Sequence, residues 1–407
     1  MKKARKILAI LLVAAMLLTF FAACSNNEQT NTDTTTNDTQ NTQDTTQDTT
    51  QDAATGDQPV YKVGLAAMLT GDNALNGERM QNASQMVIDQ YNEDAGYEKF
   101  VLYTEDDLTS TEGALTAVQK LISDGCLAIV GPHRSSNALA VSDTVRSSGV
   151  SVLVGGTAVS IDGSNEYMFR TRASDALMAQ VAAVFCNENL SAKKVGILHA
   201  SDEYGQGGAD AAMAYFDSVG IEYVDQPHNV NDVDFTSAIL ACNEAGCDLI
   251  FIWTHDAEMA IIFQQLNTYM PDVQVVGSPG ATLANVLNLC EDEWVDGCYS
   301  VTDFISTSTE QVVVDFVTAY EEKYNDTPDL YAAAYYGAAV TICEAILAAE
   351  AAGEVTPATV RDYIAQTSDL ELPSGVFYCD DKNDLVHSCT IAVLNGKTPE
   401  FFASVSE

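Results

Sequence analysis

Ten cysteines and five histidines are the residues of this chain best suited to chemistry, and their spacing limits what they can do. His133, His199, His228, His255 and His387 are scattered, and no cysteine pair has zinc-ribbon spacing. There is no Gly-x-Ser-x-Gly elbow, no Walker A loop and no His-Glu-x-x-His helix. Gly205-x-Gly207-Gly208 half matches a dinucleotide loop but lacks the third glycine at its place. The sequence therefore predicts no metal, no cofactor and no enzyme. One thiol stands apart. Cys24 follows Phe21-Ala22-Ala23 at the end of an apolar run from Ile7, with Lys2, Lys3, Arg5 and Lys6 ahead of it. A basic start, a short apolar run and small residues make a secretory signal over residues 1–23.

A cysteine just after those small residues resembles the bacterial lipobox, in which the thiol is acylated and becomes the new N-terminus. The run is also about as long as a short membrane span, so an uncleaved anchor is the alternative. From Ser25 to Gln58 the chain is almost wholly Asn, Thr, Gln, Asp and Ser, with no aromatic or branched aliphatic residue. Such a segment cannot offset the entropy of ordering. It reads as a tether over 24–58, with a root-mean-square reach of roughly 30 Å.

The whole chain has 407 residues, 18 basic and 58 acidic, for a net charge of −40. That excess argues against nucleic acid, whose phosphates need Lys and Arg, and against electrostatic hold on anionic lipid. The body after the tether is long enough to favour two lobes over one core. No apolar stretch after Cys24 is expected to span a bilayer. Nine cysteines remain, an odd number, so disulfides would leave at least one over. Cys379 and Cys389 flank an Asp/Asn-rich turn and could face each other across a hairpin; Cys290 and Cys298 are the next pair. Buried thiols acting as small hydrophobes are the alternative.

The body alternates short apolar runs with amphipathic ones. Strands are predicted at 61–65, 100–103, 127–131, 150–154, 195–198, 249–253 and 273–277. Helices are predicted after Gly77, over 115–122 behind a Thr109/Glu112 capping box, from about Asn137, and over 208–219, 257–269, 310–324, 331–352 and 357–366. The last has Thr356 as cap and Pro357 at its first position. This alternation predicts an α/β fold with two doubly wound parallel-sheet lobes, and ligands in such sheets bind beyond the carboxyl ends of the strands.

Several segments carry a family resemblance. They are Val63-Gly64-Leu65 through Leu69-Thr70-Gly71, Asn76-Gly77-Glu78, Asn82-Ala83, Glu105-Asp106-Asp107, Ile129-Val130-Gly131-Pro132 with Ser135-Ser136, and Phe169-Arg170-Thr171. Asp202-Glu203-Tyr204-Gly205-Gln206-Gly207 and Tyr331-Ala332-Ala333-Ala334-Tyr335 continue the series. In order and spacing the chain from Val60 to about Lys397 resembles the type I periplasmic binding proteins of the leucine/isoleucine/valine kind. The resemblance implies two lobes joined by a three-crossover hinge: 59–172 with 303–378, and 173–302 with 379–407. It puts the ligand between them, against Ser135 and Ser136 at a helix start and against Gly156, Thr157 and Ala158. Tyr204 takes the place of the ligand-stacking tyrosine and His255 that of an aromatic opposite. Arg134 could add a cation, and Asn76 falls in a matching segment.

One departure bears on the ligand. The acid that receives an amino acid's ammonium in the family falls near Pro279, which cannot do that work. Asp256 or Asp202 could supply the charge. The expected function is an extracytoplasmic, membrane-anchored lipoprotein, monomeric, that captures a small polar solute (amino acid, amide or carboxylate) and delivers it to an ABC permease. A sensor presenting its closed form to a membrane receptor is the alternative.

Overall fold

The computed structural model describes residues 58–403 apart from Asp72. The signal, Cys24 and nearly all of the tether lie outside the described residues.

The first sheet is built from β1 (Tyr61–Ala67), β2 (Phe100–Asp106), β3 (Ala128–Val130), β4 (Ser151–Val154) and β5 (Met168–Arg170), with α1 (Ala74–Ala95), α2 (Thr111–Ser123) and α3 (Ser135–Ser148) in the connections. Its order is β2-β1-β3-β4-β5, all parallel. The chain then runs through α4 (Asp175–Glu188), β6 (Lys194–Ala200), α5 (Glu203–Val219), β7 (Glu222–His228), α6 (Thr236–Glu244), β8 (Leu249–Trp253), α7 (Asp256–Tyr269) and β9 (Gln274–Gly277). A short 3-10 turn (Pro279–Thr282), α8 (Ala284–Leu287) and α9 (Asp292–Val295) lead to β10 (Tyr299–Thr302). It returns through α10 (Gln311–Tyr324), α11 (Leu330–Ala352), α12 (Pro357–Ile364) and the hairpin β11 (Leu370–Leu372) and β12 (Gly375–Phe377), where α11 packs on α1 and β3. It ends in β13 (Thr390–Asn395) and β14 (Thr398–Ala403). The second sheet is ordered β14-β13-β10-β9-β8-β6-β7, parallel except for the antiparallel β13 and β14.

The chain thus passes between the sheets three times: after β5, after β10 and after β12. Two buried ion pairs join these passages. Arg172 on the first holds Asp303 on the second at 2.8 and 2.9 Å. Arg170, at the end of β5, holds Asp384 on the third at 2.7 Å. Each arginine is at most 5% exposed, so each carboxylate offsets a charge that water cannot reach.

Both sheets reverse winding direction beside β1 and β6, the first with β1 between β2 and β3, the second with β6 between β7 and β8. Loops after those strands part there and leave a crevice. The loops after β1, β3, β6 and β8 flank that crevice, and the loops after β4 and β9 join them at the cavity.

Several sequence expectations need correction. α2 is capped by Ser110, whose hydroxyl accepts from Gly113 N–H, while Thr109 has φ +52° and lies before the cap. α5 starts at Glu203, not near Gly208. Asp202 caps it, and its glycines serve close approach: a Cβ on Gly208 would lie 2.1 Å from Trp253 Nε1. α11, with 23 residues and a mean hydropathy of 1.5, is long and apolar enough to cross a membrane, but most of it is buried as a core helix. Cys290 and Cys298 are separate buried thiols, each giving its proton to the carbonyl four residues back. Between Cys379 and Cys389 the chain makes a turn closed by Tyr378 N–H to the Leu385 carbonyl at 3.2 Å, without strand pairing at the cysteines, and Asp384 within it is held by Arg170.

Candidate functional site

The loop after β3 is forced close over β1. Gly131 has φ +89°, and a Cβ there would sit 2.1 Å from the Ala66 carbonyl oxygen. The chain then turns through His133 and Arg134 into α3. Ser135 is the first residue of that helix, and its Oγ accepts hydrogen bonds from the Thr157 and Ala158 N–H groups, each at 3.1 Å. A hydroxyl has two lone pairs and one proton. With both lone pairs taken, Ser135 has only its proton to give. The first N–H groups of α3 also lack partners within the helix. A donor hydroxyl, helix-start N–H groups and Arg134 together suit an anion.

The loop after β4 is braced from behind. Arg170 donates to the carbonyls of Thr157 at 2.7 Å and Ala158 at 2.9 Å, and also to Ile161. Gly155 has to be glycine, since a Cβ would meet His133 Nδ1 at 2.3 Å.

The facing wall comes from the second sheet. Tyr204 is the second residue of α5, with its ring centroid 5.1 Å from that of His255. His255 precedes α7 and its Nε2 meets Asp202 Oδ2 at 2.7 Å. Asp256 and Glu258 follow on the first turn of α7. Between the walls lies a cavity of about 350 Å³, bordered by Arg134, Ser135, Gly156, Thr157, Tyr204 and His255. His133, Arg172, Tyr331, Asp256, Glu258 and Pro279 also border it.

Three anticipated residues are not on that wall. Asn76 is fully buried and donates to Asp256 Oδ2 at 2.9 Å, so it steadies a wall residue instead of facing the cavity. Ala158 is buried, its N–H held by Ser135 and its carbonyl by Arg170. Ser136, half-buried on α3, falls outside the lining. Its neighbour Ser135 alone turns to the loop after β4.

Arg172, Glu258 and His133 escaped the sequence reading. Arg172 follows the quoted Phe169-Arg170-Thr171, so a signal existed. Glu258 had none, because an acid in a helix's first turn reads as solvated. Burial pushes the His133 imidazole well below its ordinary pKa, and the Arg172 and Arg134 charges push it the same way. It is therefore neutral and adds rings, not charge: its centroid lies 4.4 Å from that of Tyr331.

Of the nearby acids, Asp256 and Glu258 border the cavity and Asp202 lies behind His255; they differ in what they have left to give. Asp202 caps α5 through Oδ1 and holds His255 through Oδ2. Asp256 Oδ2 accepts from Asn76, from Asn285 at 3.0 Å and from the Tyr331 hydroxyl at 3.3 Å. Glu258 Oε1 accepts from Asn231 N–H at 2.5 Å, and its Oε2 is buried without a partner.

A family model described as periplasmic binding protein matches residues 60–399. The chain belongs to that family. Periplasmic binding proteins are binders and not enzymes, and membership implies an extracytoplasmic location. Among relatives of this periplasmic binding protein, the Leu/Ile/Val-binding protein BraC3 of Rhizobium johnstonii is 30% identical over 54% of this chain and 61% of its own length. The leucine-, isoleucine-, valine-, threonine- and alanine-binding protein of Pseudomonas aeruginosa is 25% identical over 80% of this chain and 87% of its own. The fold is that of the branched-chain amino acid transporter substrate-binding protein LivJ of Streptococcus pneumoniae, solved with isoleucine. That structure has a TM-score of 0.77 at 22% identity, covering 85% of this chain and 99% of that one.

Proposed function

We propose that this chain is the lipid-anchored solute receptor of an ABC importer. Its cleft takes a small polar solute by a carboxylate, and the closed form is handed to the permease. The observation that carries this reading is Ser135: its lone pairs are both engaged, so its proton is what it can offer to a ligand. Arg134 and Arg172 add positive charge on the same cavity, and the Tyr204 ring can cover an apolar portion. The relatives named for leucine, isoleucine and valine support a carboxylate-bearing solute of modest size. The lipobox-like Phe21-Ala22-Ala23-Cys24 and the tether after it support acylation at Cys24, with two acyl chains needed for a firm hold.

The two lobes, 59–172 with 303–378 and 173–302 with 379–407, would close on the solute about the three passages. Small-angle scattering tests this. A saturating carboxylate ligand is expected to shrink the radius of gyration of the full chain. An unchanged radius, with a protein shown to be open when ligand-free, would overturn the hinge.

A further inference from the structure

We propose that closure of the cleft seals Asp175 between the two lobes, and that capture of the solute is thereby coupled to uptake of a proton by its carboxyl. This rests on the hinged solute-binding reading above and adds to it a residue and a pH dependence.

Asp175 opens α4, just after the first passage between the sheets. Its N–H donates to the Thr157 carbonyl at 2.8 Å, so it lies against the loop after β4. The start of α5 meets it from the other side. A Cβ on Gly207 would lie 3.7 Å from Val159 Cγ2 and 4.0 Å from Asp175 Oδ2, so the β4 loop, α4 and α5 converge there. Elsewhere along the cleft, Asn76 on α1 and Tyr331 on α11 both donate to Asp256 on α7, at 2.9 and 3.3 Å, so helices of the two sheets touch across it. In this arrangement Asp175 is wholly buried, and neither carboxyl oxygen has a well-formed hydrogen bond. The groups that face it are Thr157 from the β4 loop, Arg170 at the end of β5, Arg172 on the passage, Trp253 on β8 and Tyr204 on α5. Both guanidinium groups favour the carboxylate, but Asp384 and Asp303 already hold them. Burial outweighs them and pushes the Asp175 carboxyl up to about 7. When the lobes part, Val159 leaves Gly207 and water reaches the carboxyl, whose value returns toward about 4. Between those values the closed form holds a proton that the open form has lost. Affinity is therefore greatest below about pH 4, falls as pH rises to about 7, and levels off above.

The test is calorimetry on the full chain with glycine, alanine, leucine, isoleucine and benzoate, each of which keeps one charge state between pH 5.5 and 8. Pairs of buffers that differ in protonation enthalpy count the protons taken up on binding. For a solute that binds, about 0.9 proton per ligand is expected at pH 6 and about 0.1 at pH 8. Affinity is expected to weaken about fivefold or more from pH 5.5 to pH 6.5. In Asp175→Asn both effects are expected to vanish. Binding without proton uptake at pH 6 overturns the coupling and leaves the solute-binding reading standing. So does uptake that persists in Asp175→Asn. Binding of no member at all overturns both. Should the variant fold poorly, carbon-13 labelling of the aspartate side-chain carboxyls in the wild type decides. One carboxyl is expected to titrate at about 7 with a solute bound and toward about 4 without it. A titration that the solute leaves unchanged overturns the proposal.

Discussion

At the scale of single residues, burial decides which groups act and which strain the fold. Asp175, the first residue of α4, is fully buried, and that burial pushes its carboxyl up to about 7 despite the nearby Thr157 side chain and the Arg170 and Arg172 charges. Neither of its oxygens makes a well-formed hydrogen bond. Between the unfolded value near 4 and about 7, the folded state holds a proton that the unfolded chain has lost. Its contribution to stability is therefore greatest below about pH 4 and declines as pH rises to about 7. Asp175→Asn removes that dependence. Urea unfolding is expected to show the two proteins close at pH 5 and the variant ahead at pH 8 by up to a few kcal/mol. A difference independent of pH would contradict the assignment. Legibility in the sequence follows the same division. Ser135, Thr157, Tyr204 and His255 were reachable because the order of motifs resembles a known family. Glu258 and Asp175 were not, since an acid at a helix start has the same local pattern whether it is solvated or buried.

At the scale of elements, seven strands and most long helices were readable from their apolar runs and periodicity, while β7, β13, β14, α4 and α6 were not anticipated. Misplaced starts had specific causes. The Gly205–Gly208 stretch reads as a loop by propensity, yet α5 runs through it. Asp202 caps the helix, and absent side chains let it approach Ala200 and Trp253. The short β5, β10, β11 and β12 carry too few residues to show a period, although they frame the passages between sheets. Those passages hold the sharpest energetic feature. Arg172 is 5% exposed, with Asp303 as its bidentate partner. Asp303→Asn would leave a buried guanidinium without its counter-charge, which costs about 3–5 kcal/mol. Chemical denaturation should show a loss of that size. A loss under about 1 kcal/mol, the worth of an exposed pair, would mean that the pair is solvated in solution.

At the scale of the whole molecule, two sheets that each reverse winding beside one strand bring the loops after β1, β3, β4, β6, β8 and β9 to a single cavity. The two doubly wound sheets were legible from the β-α rhythm, and the cleft between lobes only from the family resemblance. The cavity's charge pattern was not, because it depends on which acids are already bonded across the lobes. The acidic surface and the cavity serve different ends: the −40 charge keeps the body solvated, while Ser135, Arg134 and Arg172 make one local site for an anion. The most direct test is a calorimetric titration of small carboxylates and amino acids into the wild type and into Ser135→Ala. The wild type should bind at least one of them saturably with one site per chain. The variant should lose about 1–3 kcal/mol of that affinity, from the missing donor to a charged ligand group. Wild-type affinity retained in Ser135→Ala would contradict the account.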